Sequence, residues 1–249
     1  MSFHRYSVLA AGLLLSVSAS AISAQAADMP APAADPWSGF YLGAQAGYLQ
    51  GTGSNTDVCE SFGGDHLCIG ADDGFDFGDN NVDGATAGGY LGFNYRMDAV
   101  VMGLEGDFNW DNAEGNGGNA FLGEFDYDMS LNWDASIRAR LGIVVDERAL
   151  LYVTGGPSWL NAELNSSFCG LIAGVNCGDQ STEFGWQIGA GAEYMITDHL
   201  SMKAEYVHGW YGDTDLNIAS LGGGDNLYVK QDLKTNVVRA GIAYHFGGL

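Results

Sequence analysis

Nine charged side chains lie at alternate positions in segments that are otherwise apolar or small. Such groups could work as general acids and bases, or they could neutralise one another as buried ion pairs. Five of them are acidic and four are basic, although the whole chain carries 31 acidic and 9 basic residues. The near balance favours ion pairing. The nine are Glu105, Asp107, Asp134, Arg138, Arg140, Glu193, Lys203, Glu205 and Arg239.

A catalytic role for these acids would require a nucleophile with a neighbouring base, and the sequence shows no such pair. His245 lies near the end of the chain without an evident partner. We therefore predict that the chain is not an enzyme and that it has no catalytic residues, no metal site and no cofactor. The alternative is an enzyme that modifies lipids.

The four cysteines form two close pairs, Cys59 with Cys68 and Cys169 with Cys177. An oxidising compartment would close each pair into a local disulfide loop. Four cysteines allow three pairings, which the sequence does not distinguish, and we expect the local one because each pair brackets its own segment. Spacings of nine and eight positions do not match the short Cys-x(2–4)-Cys motif of zinc sites.

These residues lie in or beside eight segments in which apolar residues alternate with polar or small ones. In Met129–Val144 the odd positions are apolar and the even positions are polar or small, with Val144 as the exception. A strand separates such residues onto two faces, whereas a helix would mix them. The sequence therefore predicts eight strands. The other seven cover residues 40–48, 86–95, 100–110, 150–159, 184–194, 200–206 and 238–246.

The connections between these strands alternate in length. Short turns at 96–98, 146–148 and 197–199 alternate with long loops at about 50–81, 111–128, 160–182 and 212–234. Most strands have the roughly 9–11 residues that a tilted strand needs to cross a bilayer. The sequence predicts an all-β fold, an eight-stranded antiparallel up-and-down transmembrane β-barrel over residues 37–249. A soluble all-β sandwich is the alternative.

Aromatic residues support the barrel, because they sort to the two edges of the predicted strands. Indole rings prefer the membrane–water boundary, whereas a soluble sandwich has no reason to place its tryptophans at one edge. The long-loop edge carries Trp110, Trp133, Trp159, Trp186 and Trp210, and the short-turn edge carries Phe40, Tyr244 and Phe246.

The charged set is expected to point into the barrel, because a cation facing lipid at the bilayer midplane costs about 2–4 kcal/mol. An eight-stranded barrel has an interior just wide enough for side chains to fill. We therefore predict a core plugged by ion pairs, with no open pore. The small inner residues leave a narrow, mildly cation-selective channel as the alternative.

The N-terminus is predicted to be an export signal. Residues 1–26 contain a short basic region, an apolar stretch and a small-residue cleavage site, and the stretch is too short for a transmembrane anchor. Residues 27–36 are expected to form an extended, exposed leader. A net charge of -22 excludes a nucleic-acid binder, and 47% hydrophobic residues exclude intrinsic disorder.

Acidic residues crowd the first long loop. We expect them to form a solvated surface that resists self-association, with weak divalent-cation binding that bridges to lipopolysaccharide as the alternative. They are Asp57, Glu60, Asp65, Asp72, Asp73, Asp76, Asp79 and Asp83.

Three motifs are similar to a known family. Trp37-Ser38-Gly39-Phe40-Tyr41-Leu42-Gly43, Leu151-Tyr152-Val153-Thr154-Gly155-Gly156 and the stretch from Val238 to Phe246 resemble the small α-proteobacterial outer-membrane proteins, the immunogenic porin-like group related to opacity/OmpA-type barrels. The resemblance spans about residues 36–249. Members usually end at the terminal aromatic residue, whereas here residues 247–249 follow Phe246.

The resemblance implies location and partners. The protein is expected in the cell outer membrane with its long loops extracellular and with a structural, antigenic or host-contact role. Expected partners are outer-membrane lipid and lipopolysaccharide, the barrel-assembly machinery acting on the C-terminal strand, and host or envelope proteins at the loops, with no nucleic acid.

Overall fold

The computed structural model describes residues 35–62, 65–69, 80–119, 125–166, 179–222 and 225–247, with side chains described over 35–53, 81–115, 129–163, 181–212 and 232–247. The predicted signal and nearly all of the predicted leader therefore lie outside the described residues. The strands are β1 (Gly39–Phe62), β2 (Asp65–Ile69), β3 (Asn80–Met97), β4 (Val100–Asn119), β5 (Phe125–Asp146), β6 (Ala149–Ser166), β7 (Asp179–Met195), β8 (Leu200–Gly222) and β9 (Asp225–His245).

Eight of these strands close into an antiparallel barrel. From β3 to β9 each strand pairs with the next, and β1 pairs with both β3 and β9 to complete the ring. The short β2 lies outside the ring and pairs with β1 beyond the end of the β1–β3 pairing. The predicted all-β, eight-stranded up-and-down barrel is confirmed. The described residues include no helix long and apolar enough to cross a membrane.

Alternate residues along each strand face opposite sides of the barrel wall. On β4, Leu104 and Trp110 are 61% and 66% exposed on the outside, whereas Glu105 and Asp107 between them are buried inside. This separation follows from the period of two in a strand. The outer surface is consequently a band of exposed aliphatic and aromatic side chains, and the polar residues face inward.

The strands extend well beyond their predicted ends. Strand β1 continues to Phe62, β4 to Asn119 and β8 to Gly222. Much of the predicted long loops at 50–81, 111–128, 160–182 and 212–234 is thus paired strand. The hydrogen bonds of an antiparallel hairpin join backbone groups, so the pairing continues where the side-chain alternation becomes irregular.

A bulge in β5 overturns part of the predicted alternation. The pairing of β5 with β6 shifts register between Leu131 and Trp133. Met129 and Leu131 are buried inside the barrel, while Ile137 and Leu141 at later odd positions face outward. The prediction that all odd positions of 129–143 face lipid was wrong, because the extra residue of a bulge moves the chain beyond it to the opposite face.

The barrel interior is built in three layers. An upper apolar cluster fills the end that leads to the long connections: Leu49, Val82, Ala113, Met129, Leu131, Leu160, Ala162, Val207, Tyr211, Leu233 and Val237. A lower apolar cluster fills the short-turn end: Trp37, Val101, Leu150, Tyr152 and Met195. The buried charges lie between the two clusters. Ion pairs therefore occupy the middle of the core and apolar side chains fill its two ends, whereas the sequence predicts a plug of ion pairs.

Two adjacent glycines of β3 differ in the space that surrounds them. A Cβ added to Gly88 would lie 2.1 Å from the Phe108 carbonyl oxygen and 2.5 Å from Asn109 Oδ1, whereas one added to Gly89 would meet only the Gly43 carbonyl oxygen, at 3.6 Å. We expect Gly88→Ala to lower the free energy of unfolding by about 1–3 kcal/mol, as overpacking does. Gly89→Ala is the matched control and should leave it nearly unchanged. Urea titration of the folded fraction in lipid vesicles measures both, and equal effects would contradict this packing.

Candidate functional site

Arg138 is the centre of the buried charges. It projects from β5 and is fully buried, and its guanidinium nitrogens lie 3.0 Å from Glu105 Oε1, 2.9 Å from Asp107 Oδ2 and 2.9 Å from Glu205 Oε1. Three ion pairs to one guanidinium use its planar fork of donors, which suits carboxylates. Three acids from two strands are thereby held to one cation.

Arg239 and Lys203 extend this arrangement. Arg239 bridges Asp107 at 3.2 Å and Glu205 at 2.7 Å, and the Lys203 ammonium lies 2.9 Å from Glu105 Oε1. With Arg138, these residues form one connected set, which we call the cross-barrel network. Its members come from β4 and β5 on one side and from β8 and β9 on the other. Because β4 and β8 lie on opposite sides of the ring, the network spans the interior.

A second group of charges lies nearer the short-turn end. Arg140 pairs with Glu193, and its guanidinium carbon lies 3.7 Å from the centroid of the Tyr152 ring. Glu193 also accepts a hydrogen bond from Ser201 at 2.5 Å and contacts His245 Nε2 at 3.1 Å. The expectation that His245 lacks a partner was wrong. Its neighbours are more than forty positions away in sequence, so only the closed barrel brings them together.

Neutral donors add hydrogen bonds to the carboxylates of the network. The Tyr41 hydroxyl donates to Glu105 at 3.0 Å, Tyr152 to Glu205 at 2.8 Å and Ser136 to Asp107 at 2.5 Å. The Lys203 ammonium lies 3.5 Å from the centroid of the Tyr90 ring. Buried charges need such partners because their remaining lone pairs are removed from water. The sequence does not predict these roles, although the alternation already places Tyr41, Tyr90 and Ser136 on the inner face.

Inner glycines make room for the tyrosines of this layer. A Cβ on Gly92 would lie 2.3 Å from Cζ of Tyr41, and one on Gly43 would lie 2.3 Å from Cζ of Tyr90. The hydroxyl of Tyr41 can thus reach Glu105 across the strands. At these two positions the glycine is explained by a tyrosine ring.

Asp134 and Asp111 form the acidic edge of this layer. Asp134 accepts hydrogen bonds from Asn109 Nδ2 at 3.2 and 3.3 Å, but among the described residues neither aspartate has a cation within ion-pair distance. Both are buried. Sequence reasoning missed Asp111 because it fell in a predicted loop, and the extension of β4 places it inside the barrel. Six buried acids therefore face four buried Arg and Lys residues within the described interior.

Ser201, His245 and Glu193 superficially resemble a hydrolytic triad. A relay needs one imidazole nitrogen for the hydroxyl and the other for the carboxylate. Here His245 Nε2 faces both Ser201, at 3.0 Å, and Glu193 Oε1. Ser201 also donates directly to Glu193 and is fully buried. This geometry supports a structural hydrogen-bond cluster. No group of three or more His, Cys, Asp and Glu side chains among the described residues is arranged to hold a metal ion.

Residues just before β1 cover the short-turn end of the barrel. Trp37 is fully buried, donates from Nε1 to the Glu147 carbonyl at 2.9 Å and packs edge-on against His245 with ring centroids 6.2 Å apart. Asp35, placed in the predicted leader, pairs with Arg96 at 3.1 Å and accepts from Ser38 at 2.6 Å. The described end of the leader is therefore bound to the barrel through Asp35. Trp37, which follows it, is buried in the barrel end.

The predicted interface aromatics lie on the outer surface. Trp110 is the register partner of Trp133, and Trp186 is that of Trp210. Trp159 packs edge-on against Phe184. At the other end, Phe40, Tyr244 and Phe246 are each at least half exposed, and the last two pack edge-on. The tryptophans form a belt around the end toward the long connections, which we call the tryptophan belt.

The predicted disulfides and loop acids are only partly described. In the β1–β2 hairpin, the backbone of Cys59 is directly opposite that of Cys68, while Cys169 and Cys177 lie outside the described residues. Asp72, Asp73, Asp76 and Asp79 also lie outside them. Asp57, Glu60 and Asp65 are placed in strands as backbone only. Asp83 is exposed and accepts a hydrogen bond from Tyr48.

The comparisons with known proteins agree with this architecture. The model of the outer membrane protein beta-barrel domain family matches residues 9–246. The 31 kDa outer-membrane immunogenic protein of Brucella melitensis is 31% identical, over 91% of this chain and 95% of that protein. The 22 kDa outer membrane protein of Rhizobium leguminosarum is 25% identical, over 89% and 83% of the two chains.

Among solved structures, the outer membrane protein OprG from Pseudomonas aeruginosa is 14% identical, with a TM-score of 0.46, over 84% of this chain and 97% of that one. The match of the family model to nearly the whole chain, together with the identity to the Brucella relative, settles the family predicted from the sequence motifs. This chain belongs to the outer-membrane β-barrel protein family and is an outer-membrane protein.

Proposed function

We propose that this protein is a structural barrel of the outer membrane that supports envelope integrity and carries acidic, disulfide-closed loops on the cell surface for contact with the surroundings. The observation that carries the proposal is the cross-barrel network between two apolar clusters. Charged side chains from opposite walls meet in the middle of the interior, and apolar side chains pack above and below them. Such an interior offers water and ions no continuous path.

The surface role is supported by the layout of the loops and by the relatives. Tryptophan belts mark a membrane–water boundary, and the long connections continue beyond this one. Two Brucella relatives carry the word immunogenic in their names, which fits exposure at a cell surface. Lipid, lipopolysaccharide and host or envelope proteins are the proposed partners, and the C-terminal strand is the proposed signal for the barrel-assembly machinery. No catalysis, cofactor or nucleic-acid partner belongs to the proposal.

Single-channel recording in planar bilayers tests the closed interior directly. We expect no steady conductance from the folded mature chain, because the network and both apolar clusters fill the lumen. A stable open level would contradict the proposal and favour the porin-like alternative. Neutralising Arg138 and Arg140 together would then change that current, which would assign it to the barrel interior rather than to leakage around the protein.

Two aspartates of similar burial should respond differently when they are neutralised. Asp107→Asn removes the charge that Arg138 and Arg239 share, so we expect a loss of about 3–5 kcal/mol in the free energy of unfolding, as for a broken buried pair. Asp134→Asn replaces a buried carboxyl group that has no cation within ion-pair distance among the described residues, so stability should be unchanged or higher. Urea unfolding in lipid vesicles measures both, and equal losses would show that the network does not stabilise the barrel.

A disulfide between Cys59 and Cys68 and the outward position of its hairpin can be tested together. Directly opposed residues of an antiparallel pair have Cα atoms about 4.5–5.5 Å apart, which a disulfide can span. In a parent chain with Cys169→Ser and Cys177→Ser, we expect a thiol reagent too large to cross the outer membrane to label intact cells only after reduction. Adding Cys59→Ser is the control, because it frees Cys68 and should give labelling without reductant. Labelling of unreduced cells that carry the parent chain would contradict the disulfide, and labelling only after lysis would contradict the orientation.

A further inference from the structure

The basic residues of this chain are distributed unevenly. Of the nine in the sequence, four are buried inside the barrel and one lies in the predicted signal. Arg96 and Arg148 lie beside the short turns. Lys230 and Lys234 are the two that remain, both on β9 toward the long connections. The membrane boundary at that end therefore carries its cationic charge on a single strand.

Lys234 lies at the level of the tryptophan belt. It is exposed, it faces outward between the inward Leu233 and Thr235, and its register partner on β8 is Trp210. Its register partner on β1 is the neutral Thr52. Among the described residues no carboxylate lies within ion-pair distance of its ammonium group. A lysine at this depth extends its ammonium group to the headgroup region while its methylenes contact apolar surface.

A second polar group lies beside Lys234 on the same face. Asn236 Oδ1 accepts hydrogen bonds from the Tyr206 hydroxyl at 2.7 Å and from His208 Nδ1 at 2.8 Å. These two donors fix the orientation of the amide, so its Nδ2 is directed to other acceptors. The His208 ring in turn packs edge-on against Trp210, with ring centroids 4.4 Å apart. The amide donor is thus held two residues from the lysine.

The charges on other strands at this boundary also favour anion binding at β9. Asp83 and Glu114 are exposed at the corresponding end of β3 and β4. An anion is repelled there, whereas residues 230–236 of β9 carry Lys230 and Lys234 against the single carboxylate of Asp232, so an anion is attracted more to β9. Lys230 differs from Lys234, because its register partners on β1 and β8 are both aspartates, Asp57 and Asp215. The position of Lys234 therefore combines a cation that has no ion-pair partner among the described residues, a fixed amide donor and an indole at headgroup depth.

We propose that the outer face of β8 and β9 binds a phosphate group of a membrane lipid, with Lys234 forming the ion pair, Asn236 Nδ2 donating a hydrogen bond and Trp210 packing against the apolar part of the same lipid. The site is assigned to the outer leaflet, and this assignment alone rests on the proposed function, which places the long connections outside the cell. The chemistry of the site is independent of orientation and of whether the barrel conducts.

The test uses the folded mature chain in detergent, titrated with lipid A that carries both phosphates and, in parallel, with enzymatically dephosphorylated lipid A and with inorganic phosphate. Native mass spectrometry counts the lipids retained and gives the Kd. We expect Lys234→Gln to weaken binding of the phosphorylated lipid about tenfold, as expected for losing a hydrogen bond to a charged group. Lys230→Gln removes the same charge from the same strand and should bind as the wild type does.

Each outcome decides the proposal. Selective loss in Lys234→Gln, with weaker binding of the dephosphorylated lipid, supports it. Equal affinity of Lys234→Gln and wild type overturns it, as does an equal loss in Lys230→Gln, which would indicate general electrostatics. Inorganic phosphate that binds as tightly as the lipid overturns the lipid source. Heat-modifiable migration on a gel verifies that each variant is folded, and a conductance recording fails or succeeds independently of these results.

Discussion

The cost of placing charge in hydrocarbon is the constraint on which this structure depends. A strand that crosses a bilayer has one face on lipid, so its charged residues can lie only on the other face. Closing the sheet directs those faces toward one another, and eight strands leave an interior narrow enough for side chains from opposite walls to meet. Arg138, Glu105 and Glu205 are confined to the inner face because the outer face contacts lipid. The narrow interior then makes them neighbours.

The apolar clusters above and below the charges bury the ion pairs, so these pairs need further hydrogen bonds to be stable. A buried ion pair repays its desolvation only when further hydrogen bonds satisfy the remaining donors and lone pairs. Tyr41, Tyr152 and Ser136 provide such bonds to the carboxylates. Trp37 and Leu131, on the two sides, belong to the clusters that separate this layer from water. In the proposed function the charges are a structural element of the wall rather than a lining for transport.

The sequence predicted the faces of the strands because burial follows a period of two, and it predicted the eight-stranded closure from the alternating connection lengths. It did not predict the bulge at Asn132, since one extra residue changes the facing of Met129 and Leu131 without changing their apolar character. It also missed Asp111 and the partners of His245. Strand length beyond the membrane is set by backbone pairing, and contacts such as that of His245 with Glu193 depend on which strands become neighbours in space.

Exchange of guanidinium protons with water reports whether the interior charges are sealed from water. Arginine-labelled protein in lipid nanodiscs contains five arginines after residues 1–26, which NMR can assign individually. The structure predicts slow exchange for Arg138, Arg140 and Arg239, and fast exchange for the more exposed Arg96 and Arg148. Uniformly fast exchange of all five would contradict a sealed core.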